Sequence, residues 1–196
     1  MRAETTRRQI VQAADALFYQ NGFEHTSFAD IAAAVQLSRG NFYYHFKSKD
    51  EILDAVIALR LENTARMLED WAAETTNPAD RIRSFIDILL MNRAKIMRFG
   101  CPVGTLCNEL AKLEHVAQGR ANSIFTLFRT WLARQFTELG HKAQADHLAM
   151  HVLMHSQGVA TLANAFRDEA FIRREVAQIN AWLDGLSKPK IRKASR

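Results

Sequence analysis

Between positions 38 and 49 the chain reads SRGNFYYHFKSK, with Arg39, Lys47 and Lys49 and no carboxylate. Arg39, Asn41, Tyr43, Tyr44 and His45 are donors, acceptors and flat rings, set beside Gly40, which lets a backbone approach closely. These are the groups that duplex recognition uses. Arg suits the guanine edge, Asn the adenine edge and a Tyr ring the thymine methyl, so Arg39, Asn41 and Tyr44 are candidate base readers. Tyr43, His45 and Lys49 are candidate phosphate contacts, and the helix beginning near Lys49 offers unpaired N–H groups to an anion. Thr26, Ser27, Ser38, Gly40 and Lys47 complete the expected set. The competing reading is an ordinary polar helix face.

Three other constellations carry potential chemistry. His147, His151 and His155 fall at i, i+4 and i+8, a spacing that can chelate a metal. However, His155 sits near an inward stripe of Leu148, Val152, Val159, Leu162 and Phe166. A structural or dimer-interface role for His151, His155, Gly158, Leu162 and Trp182 is therefore expected, and no metal. Cys101 lies in a Gly/Pro break close to Arg98, where a cation would favour the reactive thiolate. Cys107 reads as a small apolar packing residue. Trp71, Phe85, Phe99, Phe128 and Trp131, with Cys101 and Val103, could line an apolar effector pocket, although such side chains at helical spacing are more often plain core.

The elements that must position these residues follow from periodicity. Phe28, Ile31, Ala32 and Val35 mark a short helix capped by Thr26 or Ser27. Gln36 and Leu37 suffice only for a turn. Ser38 caps a second helix, from Arg39 to about His45, with Leu37, Phe42 and Phe46 inward. Two helices across a tight turn, the second polar outside, describe a helix-turn-helix whose second helix enters the major groove. A preceding helix over about 5–21, with Ile10, Ala14, Leu17 and Phe18 as its stripe, ends at Gly22 and braces the pair. Ser48-Lys49-Asp50-Glu51 reads as a capping box that starts a long helix to about 75.

The remainder is helical throughout. Asn77-Pro78-Ala79-Asp80 opens a helix to about 98, broken by 100–104. Helices over about 105–113, 116–139, 143–166 and 169–186 follow. No strand pattern appears. The expected architecture is all-α: a three-helix DNA-binding domain over 1–48, a larger helical domain over 49–187, and a basic disordered tail over 188–196.

Residues from about Thr6 to Ile57 resemble the DNA-binding domain of TetR family transcriptional regulators. The carrying residues are Ile10, Ala13, Ala14, Leu17 and Phe18, Gly22-Phe23, Thr26, Asp30-Ile31-Ala32, and the run from Ser38 to Phe46 with Lys49. One position departs: Gln36 stands where members often have Gly, and a left-handed backbone there costs Gln more. Outside this region the resemblance rests on helix order and on FGCPVGTLCNEL. It implies a helical effector domain with a small-molecule pocket, and a homodimer built on the last two long helices.

Composition fits this reading. Hydrophobic content of 48% is ample for a core. No run of about 18 apolar residues predicts a membrane span, and two cysteines make no disulfide framework, so a cytoplasmic protein is expected. Of the 26 basic residues, five lie in the last ten positions, and the other 21 balance 21 acidic ones. The net charge of +5 therefore reflects the tail. The functional expectation is a ligand-responsive regulator, a repressor released by a small molecule from a pseudo-palindromic operator. No enzymatic activity and no cofactor are expected. Thiol or electrophile sensing through Cys101 and ligand-independent DNA binding are the alternatives.

Overall fold

The computed structural model describes residues 2–187. Ten α-helices occur among them: α1 (Arg2–Asn21), α2 (Phe28–Ala34), α3 (Arg39–His45), α4 (Lys49–Glu74), α5 (Pro78–Met91), α6 (Arg93–Phe99), α7 (Pro102–Lys112), α8 (Gln118–Glu138), α9 (Ala145–Phe166) and α10 (Glu169–Ser187). A 3₁₀ turn, Lys142–Gln144, precedes α9. The described residues contain no strand, in agreement with the all-α expectation. The basic tail expected over 188–196 lies outside the described residues.

The described residues form two compact units, one of residues 2–67 and 101–127, the other of 68–100 and 128–187. In the first, α1, α2, α3, the first part of α4, α7 and the start of α8 share one core. Ile10, Phe18 and Phe23 pack with Ile31, Phe42 and Phe46, and with Ile52, Ile57, Leu106 and Leu110. Each such side chain taken from water contributes about 1.5–3 kcal/mol, so α7 is bound into the same hydrophobic cluster as the helix-turn-helix.

The second unit packs α5, α6, α9 and α10 with the ends of α4 and α8. Ile82, Ile86, Leu132, Phe136, Val152, Ile172 and Leu183 are among its buried residues. Arg81 is its polar anchor. The guanidinium donates to Thr75 O at 2.8 Å and Ala72 O at 3.0 Å. It also reaches Gln135 Oε1 at 3.2 Å and Glu138 Oε2 at 3.1 Å. Carbonyls at the end of α4, which a helix cannot satisfy itself, are thereby capped.

Local starts follow the sequence with instructive exceptions. Asn77 caps α5 through Ala79 N–H at 3.0 Å, with Pro78 as the first helical residue. Ser48 Oγ accepts from Glu51 N–H at 3.1 Å, but the Glu51 carboxylate turns to Lys47 N–H at 2.8 Å, one residue earlier than a regular capping box. The helix expected to run unbroken to 98 divides at Asn92, whose side chain donates to Ile88 O while Arg93 donates to Leu90 O. Side chains that bond nearby carbonyls compete with the helical ladder. The break expected over 100–104 is also shorter. Only Gly100 and Cys101 are non-helical, because Pro102 starts α7 and the Cys101 sulfur caps it, accepting from Gly104 N–H at 3.5 Å.

Candidate nucleic-acid interface

Ser27 caps α2. Its hydroxyl accepts from Asp30 N–H at 3.1 Å while Asp30 Oδ2 accepts from Ser27 N–H at 2.8 Å, a reciprocal capping box. The Ser27 hydroxyl, then its amide, hold the Asp30 carboxyl below the usual carboxylate range. At the other end Leu37 N–H reaches Ala32 O and Gln36 N–H reaches Ala33 O, both at 3.1 Å. This pair of bonds is a Schellman closure and requires a left-handed residue. Gln36 supplies it at φ 54°, the conformation that glycine would adopt at less cost.

Ser38 then caps α3 through Asn41 N–H at 3.4 Å. Phe42 and Phe46 are fully buried and fix the inner face. The Phe28 ring meets Phe42 edge-on, with centroids 4.6 Å apart, and lies 4.9 Å from the Tyr43 ring. Gly40, Asn41, Tyr43, Tyr44 and Lys47 are exposed, and Tyr44 has 72% of its surface free. A Cβ at Gly40 would meet nothing of the protein within 4 Å. The chain's own packing therefore does not require glycine there, and the space is open to a partner. His45 is half-buried, with its ring 5.2 Å from Tyr44. Lys47 donates its ammonium to Tyr43 O.

Two expected contacts are placed differently. Thr26 is fully buried, and its hydroxyl donates to Gly22 O at 2.7 Å, so its side chain holds the α1–α2 loop and does not face solvent. Lys49 is half-buried and donates to Phe23 O at 3.0 Å and Glu24 O at 3.3 Å. An ammonium has three donors, of which these two carbonyls take two. The sequence reading missed Arg7, whose guanidinium lies 4.6 Å from the centre of the Phe46 ring, beside the end of α3. Nothing in the spacing of the first helix distinguishes it from that helix's other polar residues.

In the second unit the expected pocket residues form ring pairs. Trp71 and Trp131 have centroids 5.9 Å apart, and Phe85 and Phe128 5.2 Å. The Arg98 guanidinium covers Phe99 at 4.9 Å. Cys101 and Val103 belong to the first unit. There Cys107 is buried, and burial, then its neighbour Cys101, push its thiol up to about 11. Burial likewise raises the Tyr19 phenol to about 12.

Along α9, His151 lies 4.7 Å from the Trp182 ring of α10, and His155 Nε2 is 3.7 Å from Glu175 Oε2. Burial holds His155 below the ordinary imidazole value, Glu175 opposes that shift, and His151 adds to it. Leu162, Met154 and Phe166 are exposed on the same helix, and nothing stands within 4 Å of a Cβ at Gly158. Among the described residues, no group of three or more His, Cys, Asp or Glu could hold a metal ion, and no helix is long and apolar enough to cross a membrane.

Residues 10–56 match the family model of bacterial regulatory proteins of the tetR family, and residues 78–178 match the C-terminal domain of LmrA/YxaF-like transcriptional regulators. An uncharacterised HTH-type transcriptional regulator of Lactococcus lactis is 28% identical over 136 residues, covering 68% of this chain and 69% of its own. The regulator TtgR of Pseudomonas putida is 42% identical over 55 residues, which is 28% of this chain and 26% of TtgR. A TetR transcriptional regulator from Legionella pneumophila superposes with a TM-score of 0.78 at 25% identity, over 92% of this chain and 96% of that one. With an exposed reading helix on a buried aromatic base, and both halves of the chain matched, the protein belongs to the TetR family of transcriptional regulators.

Proposed function

We propose that this regulator binds a pseudo-palindromic operator as a homodimer, represses transcription, and is released by a small molecule. The observation that carries the reading is the division of α3: Phe42 and Phe46 are fully buried, whereas Asn41, Tyr43 and Tyr44 are exposed on a stretch without carboxylates. In this reading Arg39, Asn41 and Tyr44 meet base edges. Tyr43 and His45, with the remaining donor of Lys49, meet phosphates.

One such helix reads only a half-site. Two copies must present their helices about 34–36 Å apart to enter successive major grooves. The exposed apolar side chains of α9 and the open space at Gly158 support pairing of α9 and α10 with their copies. The effector is received by the second unit, where the Trp71–Trp131 and Phe85–Phe128 pairs supply apolar surface. It acts only through a difference in affinity between two arrangements of the dimer. The Cys101 sulfur is engaged in capping α7, and nothing favours thiol sensing over reversible binding.

Selection of bound sequences from random duplex DNA tests the reading. An enriched sequence with two-fold symmetry, bound by two chains, is the expected result. Equal retention of all duplexes would point to ligand-independent, non-specific DNA binding.

A further inference from the structure

The turn after α1 contains two amides that neither α1 nor α2 satisfies. Gly22 ends the helix at φ 88°, and its own N–H returns to Phe18 O at 3.0 Å. The next two N–H groups point away from that ladder. Both donate to one carboxylate, Glu109 of α7: Phe23 N–H to Oε2 and Glu24 N–H to Oε1, each at 2.9 Å. The carbonyls of the same two residues take the Lys49 ammonium. The Phe23–Glu24 dipeptide is thus gripped through its donors by an anion on α7 and through its acceptors by a cation on α4. Gly22 leaves room for this arrangement: a Cβ there would stand 2.9 Å from Glu109 Oε1, and the carboxylate would have to shift.

This grip has a direct route to the reading helix. The loop ends in Thr26, tied back to Gly22 O, and in the Ser27 cap of α2. Phe28, the first residue of α2, lies against Phe42 and Tyr43 of α3. Wherever the dipeptide is held, α2 must start, and the outer face of α3 follows. The stretch after Glu109 reinforces the attachment: His115 Nε2 is 3.5 Å from Asp50 Oδ1, and Arg120 pairs with Asp54 at 2.6 Å.

We infer that Glu109 is a positioning residue for DNA reading, its carboxylate fixing the α1–α2 loop and, through Phe28, the orientation of α3. Charge-assisted bonds to two adjacent backbone amides are stronger and more directional than neutral ones. A carboxylate also offers each amide its own oxygen, whereas a carboxamide in the same orientation would turn its NH₂ toward one of them. The inference rests on α3 being the DNA-reading helix, and its test separates the two.

Glu109→Gln keeps the size of the side chain but turns an NH₂ toward one amide; Glu109→Ala removes both bonds. Three measurements are compared with the unmodified dimer: hydrogen exchange of the Phe23 and Glu24 amides, thermal unfolding, and anisotropy titration with a duplex from random selection and with its scrambled version. The expected result is faster exchange at both amides and a cooperative melt. Affinity for the selected duplex should fall about tenfold, the worth of one charge-assisted bond, while the scrambled duplex stays within about twofold, since phosphate contacts persist. Faster exchange with unchanged selectivity, or equal losses on both duplexes, would overturn the inference. So would failure of both variants to fold, which would make the carboxylate a stability element. An unmodified protein that prefers no duplex would instead sink the reading of α3, and the inference with it.

Discussion

Lys49 and Phe23 meet twice: the ammonium lies 4.3 Å from the centre of the Phe23 ring and 3.0 Å from the carbonyl oxygen of the same residue. This dual contact gives Lys49→Ala two separable effects. Loss of the loop anchor should lower stability by about 1–2 kcal/mol. Loss of the third donor should reduce the slope of log affinity against log salt by about one unit. Denaturant unfolding reads the first effect and binding across a salt series the second. An unchanged salt slope would confine Lys49 to the loop.

Asn41 and Tyr43 lie two residues apart on α3, yet they should fail differently. Asn41→Ala should change which sequences are preferred, costing about 1–3 kcal/mol at one base pair. Tyr43→Phe keeps the ring beside Phe28 and removes only the hydroxyl. It should weaken all duplexes alike. Competition titrations with single-base operator variants distinguish these patterns.

Gln36 holds φ 54° in the helix-turn-helix turn. Gln36→Gly should raise the stability of the folded protein by about 1 kcal/mol, the lower end of what a left-handed conformation costs an L-residue. Urea unfolding midpoints at constant slope provide the measurement. A loss of stability would mean that the Gln36 side chain contributes more than its backbone costs.

Gly158→Leu places a bulky side chain where the chain itself offers nothing within 4 Å. If α9 pairs with its copy there, the variant should be monomeric by light scattering and should lose operator binding. It should keep its helical content. A one-chain mass for the unmodified protein would end the dimer proposal.

His155 is held below the ordinary imidazole value in the folded chain, chiefly by burial. Below about pH 6.5 the unfolded chain binds a proton that the folded one resists. The corresponding stability is therefore present above that pH and is lost as the pH falls toward the depressed folded value. His155→Gln should flatten this part of the acid limb in melts collected between about pH 7 and pH 5.

Much of the fold is legible from single residues that act locally. Ser27, Ser38, Gly22, Asn77 and Pro78 each do what their chemistry dictates, and they fix four helix ends to within a residue or two. Asn92 was illegible because an Asn inside an apolar pattern interrupts a helix only if its side chain finds a carbonyl. The start of α7 was hidden because a cysteine sulfur is not a residue type from which a cap is read. The polar outer face of α3 was visible from periodicity, whereas the burial of Thr26 and the inward reach of Lys49 were not. Both depend on the loop at Phe23–Glu24, and Glu109, which holds that loop, is 85 and 86 positions away. Pattern reading has no access to a contact at that separation.

The apolar cluster that joins Leu106, Cys107, Leu110, Ala117 and Ala121 to Ile10, Phe18, Phe23 and Ile57 bears on recombination. A crossover placed after the long fourth helix begins would graft a foreign α7 onto this reading head. The graft would then have to match both the hollow that those five side chains fill and the carboxylate that meets Phe23 and Glu24. Chimeras that exchange only the first segment should aggregate or bind DNA poorly, while those that carry residues 101–127 along with it should keep their operator. For this chain, the transferable cassette is defined by shared packing and is discontinuous in sequence.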